Sequence, residues 1–304
     1  MPGVVNLALL ILPAAIWASL VVVGVTVMVD IGPMALACVT WGVAALVLLW
    51  ATRGTLAGSV HILRSEAGLL FLSALTGIAA FQGLWFAGLL QANVTNVAIL
   101  TATLPVMIAA LAAIAIGEHL SPWQLFGVAL TLAGALWVGV YGDVLRLKGL
   151  RLGRGEVLIL LANLSMAVYT VALKRWPSKL PPLSFMAVIA TIGTVILVPA
   201  MIIEGGFGPG WGPYIQHVGA ITYIGVVSSA AAYVFWNESV VRNGANLTAM
   251  FLYTQPAFAV AFCWLFLKQP VLTYHWQGIV AISAGLILVV LGEAYRTDLN
   301  KDLK

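Results

Sequence analysis

Charge is what this sequence has least of. Only 8% of its 304 residues are Asp, Glu, Lys or Arg, while 62% are hydrophobic. A soluble domain carries about 25% charged residues, which keep it dispersed in water. Ten acids and 14 bases cannot cover a soluble surface of this size, so the chain reads as an integral membrane protein. The net charge of +4 does not point to nucleic acid, because the basic residues sit in short loops between apolar runs and form no face. Cysteine is scarce too. Cys38 and Cys263 lie inside apolar runs without CxxC or Cys/His spacing, so neither a disulfide framework nor a metal site is expected. The N-terminus lacks a charged leader region, and its apolar run from Val4 to Val29 is too long for a signal peptide; it reads as the first span. GxSxG with a histidine partner, HExxH and paired mid-span carboxylates are missing, so no catalytic residue and no cofactor is expected.

What is present is a series of long hydrophobic runs. A helix needs about 20 apolar residues to cross about 30 Å of hydrocarbon. Cutting at charges and turn residues yields ten spans: 4–29, 34–52, 67–90, 94–116, 123–142, 156–173, 183–203, 216–241, 245–267 and 273–292. The separators, such as Gly117-Glu-His-Leu-Ser-Pro122 and Lys179-Leu-Pro-Pro182, are helix-end sequences. Alternating segments of the kind a β-barrel requires do not occur.

The chain is also doubled. At a shift of 151 residues Trp85 falls on Trp236, Thr103 on Thr254, Pro105 on Pro256, Gly127 on Gly278 and Ala133-Gly134 on Ala284-Gly285. This predicts two five-helix halves, 1–148 and 149–304. An odd number of spans per half forces the halves into opposite orientations, which is the inverted repeat of secondary transporters, with the substrate near the midplane between the halves. The expected fold is therefore all-α integral membrane, with ten transmembrane helices in two inverted five-helix repeats.

Ten spans, the repeat, the segment Gly117-Glu118-His119-Leu120-Ser121 after the fourth span and the Gly-rich fifth span from Gly127 to Gly134 resemble the EamA-type branch of the drug/metabolite transporter superfamily. The second copy departs from that pattern, with Lys268-Gln269-Pro270 in place of Gly-Glu. Within the branch, the aromatic richness resembles the YddG-type exporters of aromatic amino acids. The resemblance implies export of small metabolites by alternating access.

Orientation follows the Lys and Arg balance. With the N-terminus cytoplasmic, Arg53, Arg64, Lys174, Arg175, Lys179, Arg242, Arg296, Lys301 and Lys304 lie inside, and Arg146, Lys148, Arg151, Arg154 and Lys268 lie outside. The majority favours both termini in the cytoplasm of an inner (plasma) membrane protein, although the dense 143–155 loop argues the other way. Small-residue rows, Thr131/Ala135/Gly139 and Ala281/Gly285, permit close helix contact within one chain or between two, and a monomer is compatible with them.

An ionisable group in the membrane would mark a coupling site. All ten acids fall at span ends, in loops or in the tail; Glu238, about one turn inside the eighth span, reads as an interfacial acid beside Arg242. The expectation is a facilitator without proton coupling. Pro105 and Pro256 are each the twelfth residue of a 23-residue span and are expected to free the carbonyls of Thr101 and Leu252, either as repeat-related hinges or as packing kinks. The substrate-binding candidates are uncharged: Trp17, Gln82, Trp85, Asn163, Tyr233, Trp236, Asn237 and Tyr253. For the amides the alternative is interhelical hydrogen bonding. For Trp85 and Trp236, closer to span ends, it is placement in an interfacial aromatic belt. A pocket of these residues suits a zwitterion with a flat apolar side chain, and suits phosphorylated sugars badly because no mid-span Arg or Lys can pair a dianion. The partners expected are thus the lipid bilayer and a neutral small molecule, an aromatic or other neutral amino acid. A multidrug or nucleoside/purine exporter of the same superfamily is the alternative, and an intramembrane enzyme the remote one.

Overall fold

The computed structural model describes residues 4–149, 151–206, 208 and 210–302; Lys304, counted in the charge balance, lies outside them. Among the described residues the chain is helical, with no strand. α1 consists of Val4–Ala18 and Leu20–Ile31. It is followed by α2 (Pro33–Ala57), α3 (Ala67–Gln91), α4 (Thr95–Ile116), α5 (Pro122–Gly139), α6 (Arg154–Arg175), α7 (Pro182–Glu204), α8 (Val218–Asn243), α9 (Ala245–Leu267) and α10 (Thr273–Glu293). Each of α2 to α10 is long and apolar enough to cross a membrane. The helix ends are built as their sequences require. At α5, for example, Pro122 sits in the first turn, Gln124 N donates to Ser121 Oγ at 3.3 Å and Ser121 N donates to Gln124 Oε1 at 2.8 Å. The end carrying the α5–α6 connection is called upper below, and the end carrying the α4–α5 connection lower.

The first span departs from the continuous helix expected over 4–29. Its helix breaks at Ser19, whose Oγ donates to the Ile16 carbonyl at 2.6 Å and bonds the Tyr223 hydroxyl at 2.6 Å, while Val22 N turns to the Ser19 carbonyl at 3.0 Å. A hydroxyl that bonds its own preceding turn competes with the regular pattern.

The inverted repeat is visible in the packing of α5 on α10. A Cβ on Gly127 would lie 2.6 Å from the Gly285 carbonyl oxygen, and one on Gly134 would lie 2.8 Å from that of Gly278. Because Gly127 is the mate of Gly278 and Gly134 the mate of Gly285, each contact is the other's image. The pairing is antiparallel, so the axis relating the halves runs across the helices. Local backbone follows the same shift. Gly117 and Lys268 both end their helices in the left-handed region, at φ +68° and +56°. After each, the same six-residue hydrogen bond closes the helix, Glu118 N to the Ala112 carbonyl and Gln269 N to the Cys263 carbonyl, both 3.2 Å. Wide π-type turns occupy Leu75–Ala80 in α3 and Ile224–Ala231 in α8, which overlap under the shift.

Helix contacts complete the pattern. α2 packs on α7, α3 on α6 as α8 on α1, and α4 on α6 as α9 on α1. The seats differ in depth. A Cβ on Gly77 of α3 would meet the Tyr169 ring at 2.6 Å, and one on Gly88 would meet Ile159 at 2.8 Å, so α6 beds directly on α3. The mates of those glycines in α8 are Ser228 and Ser239, which carry side chains where α3 has none.

Candidate functional site

Irregular turns in α3, α4 and α8 free backbone carbonyls, and in a membrane such groups need partners. The sequence candidates supply them. Tyr233 donates its hydroxyl to the Gly77 carbonyl at 3.0 Å, and Trp17 donates Nε1 to the Ser228 carbonyl at 3.0 Å. Gly77 and Ser228 are repeat mates. In α4 the helix stops at Thr101 and resumes at Leu104; in α9 a 3₁₀ turn fills Phe251–Thr254. Pro105 and Pro256 lie in the first turn of each resumed helix, where a missing N–H costs nothing. The carbonyls that accept side chains from other helices are Leu100, from Asn163 Nδ2 at 2.8 Å, and Ala102, from the Tyr253 hydroxyl at 3.1 Å. They flank Thr101, one of the two carbonyls anticipated from the sequence, because the break falls before the proline. Tyr253 and Ala102 are mates, so the two broken helices touch on the two-fold axis.

Above this crossing lies a cavity of about 560 Å³, within the range of small-molecule sites. Trp17, Gln82, Trp85, Asn163, Tyr233 and Tyr253 line it, as do both prolines. The lining contains no Asp, Glu, Lys or Arg among the described residues. The polar atoms of Trp17, Tyr233 and Tyr253 are spent on the scaffold, which leaves their rings to the cavity. Gln82 carries an amide with no hydrogen bond to a described residue, and the fully buried Asn163 keeps an unpartnered Oδ1.

Trp236 and Asn237 stand elsewhere. Both are buried below the cavity and are absent from its lining. Trp236 packs on Trp17 at 5.5 Å between ring centroids, and Asn237 accepts from the Tyr169 hydroxyl at 2.5 Å and faces Met186 Sδ. Their spacing on α8 places them on one helix face with Tyr233, but that face passes from cavity to packed core within one turn. With Trp41, edge-on to Tyr233 at 4.9 Å, they close the passage downward. Further down, Ser239 bonds Thr248 at 3.0 Å, and Glu118 accepts from Asn246 N at 3.2 Å while its carbonyl accepts from Asn246 Nδ2 at 2.9 Å.

The upper end is open. Tyr141, Gln269, Tyr274 and His275, none of them a substrate-binding candidate from the sequence, line the mouth. They sit at span ends, where sequence periodicity carries no signal. The lower segment of α4 packs against Ala245–Met250 of α9, whereas the image of that contact, Val94–Thr101 against Gln255–Leu267, is not made to a comparable extent. The upper end of α4 instead leans on α6, where Glu156 accepts from Asn96 Nδ2 at 2.8 Å, Gly153 N at 3.1 Å and Asn93 N at 3.3 Å.

Comparison with known proteins agrees with this architecture. The chain is 25% identical over 255 residues to the uncharacterized transporter YyaM of Bacillus subtilis, covering 84% of this chain and 83% of that one. It is 29% identical over 238 residues to a probable terminal-alkyne amino-acid exporter of Streptantibioticus cattleyicolor, covering 74% and 77%. A solved crystal structure superposes with a TM-score of 0.73 at 17% identity, over 94% of this chain and 96% of the other, which establishes the shared fold. The EamA-like transporter family is matched twice, over residues 5–140 and 153–291, and this multi-pass membrane protein belongs to that family.

Proposed function

We propose that this transporter exports neutral amphipathic metabolites, aromatic and other neutral amino acids first among them, by alternating access and without proton coupling. The observation that carries the reading is the cavity itself: aromatic walls, uncommitted amide groups and no Asp, Glu, Lys or Arg in its described lining. Stacking on such walls contributes about 0.5–1.5 kcal/mol per aromatic pair. The name of the Streptantibioticus relative points the same way. The halves 1–148 and 149–304 act as the moving units, with the breaks before Pro105 and Pro256 as pivots. On this reading the protein sits in the inner membrane with both termini in the cytoplasm, and the open mouth faces outward.

The test is uptake into liposomes of purified protein with no proton or sodium gradient, for tryptophan, phenylalanine, threonine, a charged amino acid and a cationic dye. Saturable uptake of the aromatic amino acids is the expected result. A requirement for a pH gradient removes the facilitator, and movement of the dye alone installs a multidrug exporter in its place.

A further inference from the structure

The cavity carries no charge, yet an amino acid at neutral pH carries two. Beside the mouth, against the Tyr141 ring, stands a group suited to one of them. Beyond α5 the chain turns on two successive left-handed residues, Tyr141 at φ +56° and Gly142 at φ +75°. Glycine adopts that region freely; a tyrosine is held there only where its surroundings over-determine it. What the strained residue secures is the position of a ring. Tyr141 lines the mouth, set edge-on to Tyr274 at 6.1 Å between centroids, and the Arg146 guanidinium lies 4.7 Å from its ring centre. Gly142 serves the same arrangement, since a Cβ there would lie 2.8 Å from that of Tyr274.

Arg146 is positioned but not consumed. Asp143 approaches its Nε at 3.9 Å, and that carboxylate also accepts from Leu145 N at 3.0 Å. The two terminal guanidinium nitrogens bond no acceptor among the described residues, and the side chain is 48% exposed. A planar guanidinium with both terminal nitrogens free is the group that matches a carboxylate with two parallel hydrogen bonds. Its stacking on Tyr141 orients the fork and leaves that ring beside it for an apolar body. Lys148 and Arg151 follow on the same connection, Arg154 opens α6, and the three add attraction for an anion.

We propose that Arg146, Tyr141 and Tyr274 form a mouth subsite that receives the carboxylate of an aromatic substrate, with Arg146 pairing the anion and the two rings holding the flat side chain. This rests on the amphipathic-metabolite reading above and narrows it to carboxylate-bearing cargo. Tryptophan and tryptamine share ring and amine and differ in the carboxylate. In liposomes, Arg146→Gln is expected to raise the KM for tryptophan about tenfold more than that for tryptamine, the size of one charge-assisted hydrogen bond. Arg146→Lys restores part of the difference, because a point charge lacks the fork. Equal changes for both compounds overturn the subsite. Tyr141→Gly, which relieves the backbone but removes the ring, loses the same preference without a fall in Tm; a retained preference overturns the role of the ring. If the unmodified protein carries neither compound, the function proposed above fails separately. The subsite is then read by equilibrium binding of indole-3-propionate and tryptamine to the purified protein. A preference for the acid that Arg146→Gln abolishes keeps the subsite, and no preference in the unmodified protein overturns it.

Discussion

The two broken helices, α4 and α9, are images of one another in sequence and in backbone, yet they do opposite things at the two ends of the molecule. At the lower end Leu104–Ile116 of α4 packs on Ala245–Met250 of α9, and Glu118 holds the N-terminus of α9 through Asn246. At the upper end the corresponding segments part, and Glu156 ties the start of α4 to α6 instead. The mates of Glu118 and Asn246 are Gln269 and Thr95. Two halves with the same local structure therefore occupy different environments. The difference lies in how segments are joined across the breaks. If the halves exchange those environments, the open end closes and the closed end opens around a crossing that stays fixed at Tyr253 and Ala102.

The comparison can be broken outright by joining the lower end covalently. With Cys38 and Cys263 replaced by alanine, Glu118→Cys combined with Asn246→Cys and a short bifunctional thiol reagent is expected to abolish uptake, with activity returning in the uncross-linked control. Uptake that survives complete cross-linking means that the lower end does not open. The next largest effect belongs to the pivots. Pro105→Ala with Pro256→Ala restores two N–H donors, favours continuous helices, and should slow turnover by about an order of magnitude, equivalent to about 1.4 kcal/mol. Either substitution alone should have a smaller effect if the pivots work as a pair. Glu118→Ala sharpens the contrast more gently. It removes the side-chain acceptor of Asn246 N, worth about 1 kcal/mol, so amide hydrogen exchange in residues 245–250 should quicken about fivefold while that of residues 94–101 is unchanged. The smallest effect is expected within the cavity, where Gln82→Ala should raise the KM for a neutral amino acid about three- to fivefold with the protein still folded.

Much of the fold was legible in the sequence because the bilayer imposes a length and a composition on each span, and because the shift of 151 aligns Pro105 with Pro256 and Gly127 with Gly278. The mutual glycine contacts of α5 and α10 follow directly from that register. The break at Ser19 was not legible, since its partner Tyr223 lies 204 residues away. The π turns in α3 and α8 were equally hidden; Gly77 and Gly225 are ordinary glycines until the Tyr169 ring and the Thr40 carbonyl come against them. Among the candidate residues, mid-span position predicted which side chains approach the centre. It did not distinguish a residue that faces the cavity from one that caps a carbonyl or fills the core, as Tyr233, Trp236 and Asn237 on one face of α8 show. Tyr141 escaped because nothing in a sequence marks a tyrosine for left-handed backbone.

The central claim is that the upper and lower contacts between α4 and α9 exchange. Spin labels at Ile114 and Asn243 report the lower end, and labels at their mates Leu265 and Ala92 report the upper end. Pulsed distance measurements on reconstituted protein, with and without saturating tryptophan, should show the two distances changing in opposite directions, with the lower pair lengthening as the upper pair shortens. Two distances that stay fixed during transport, or lengthen together, would contradict the account.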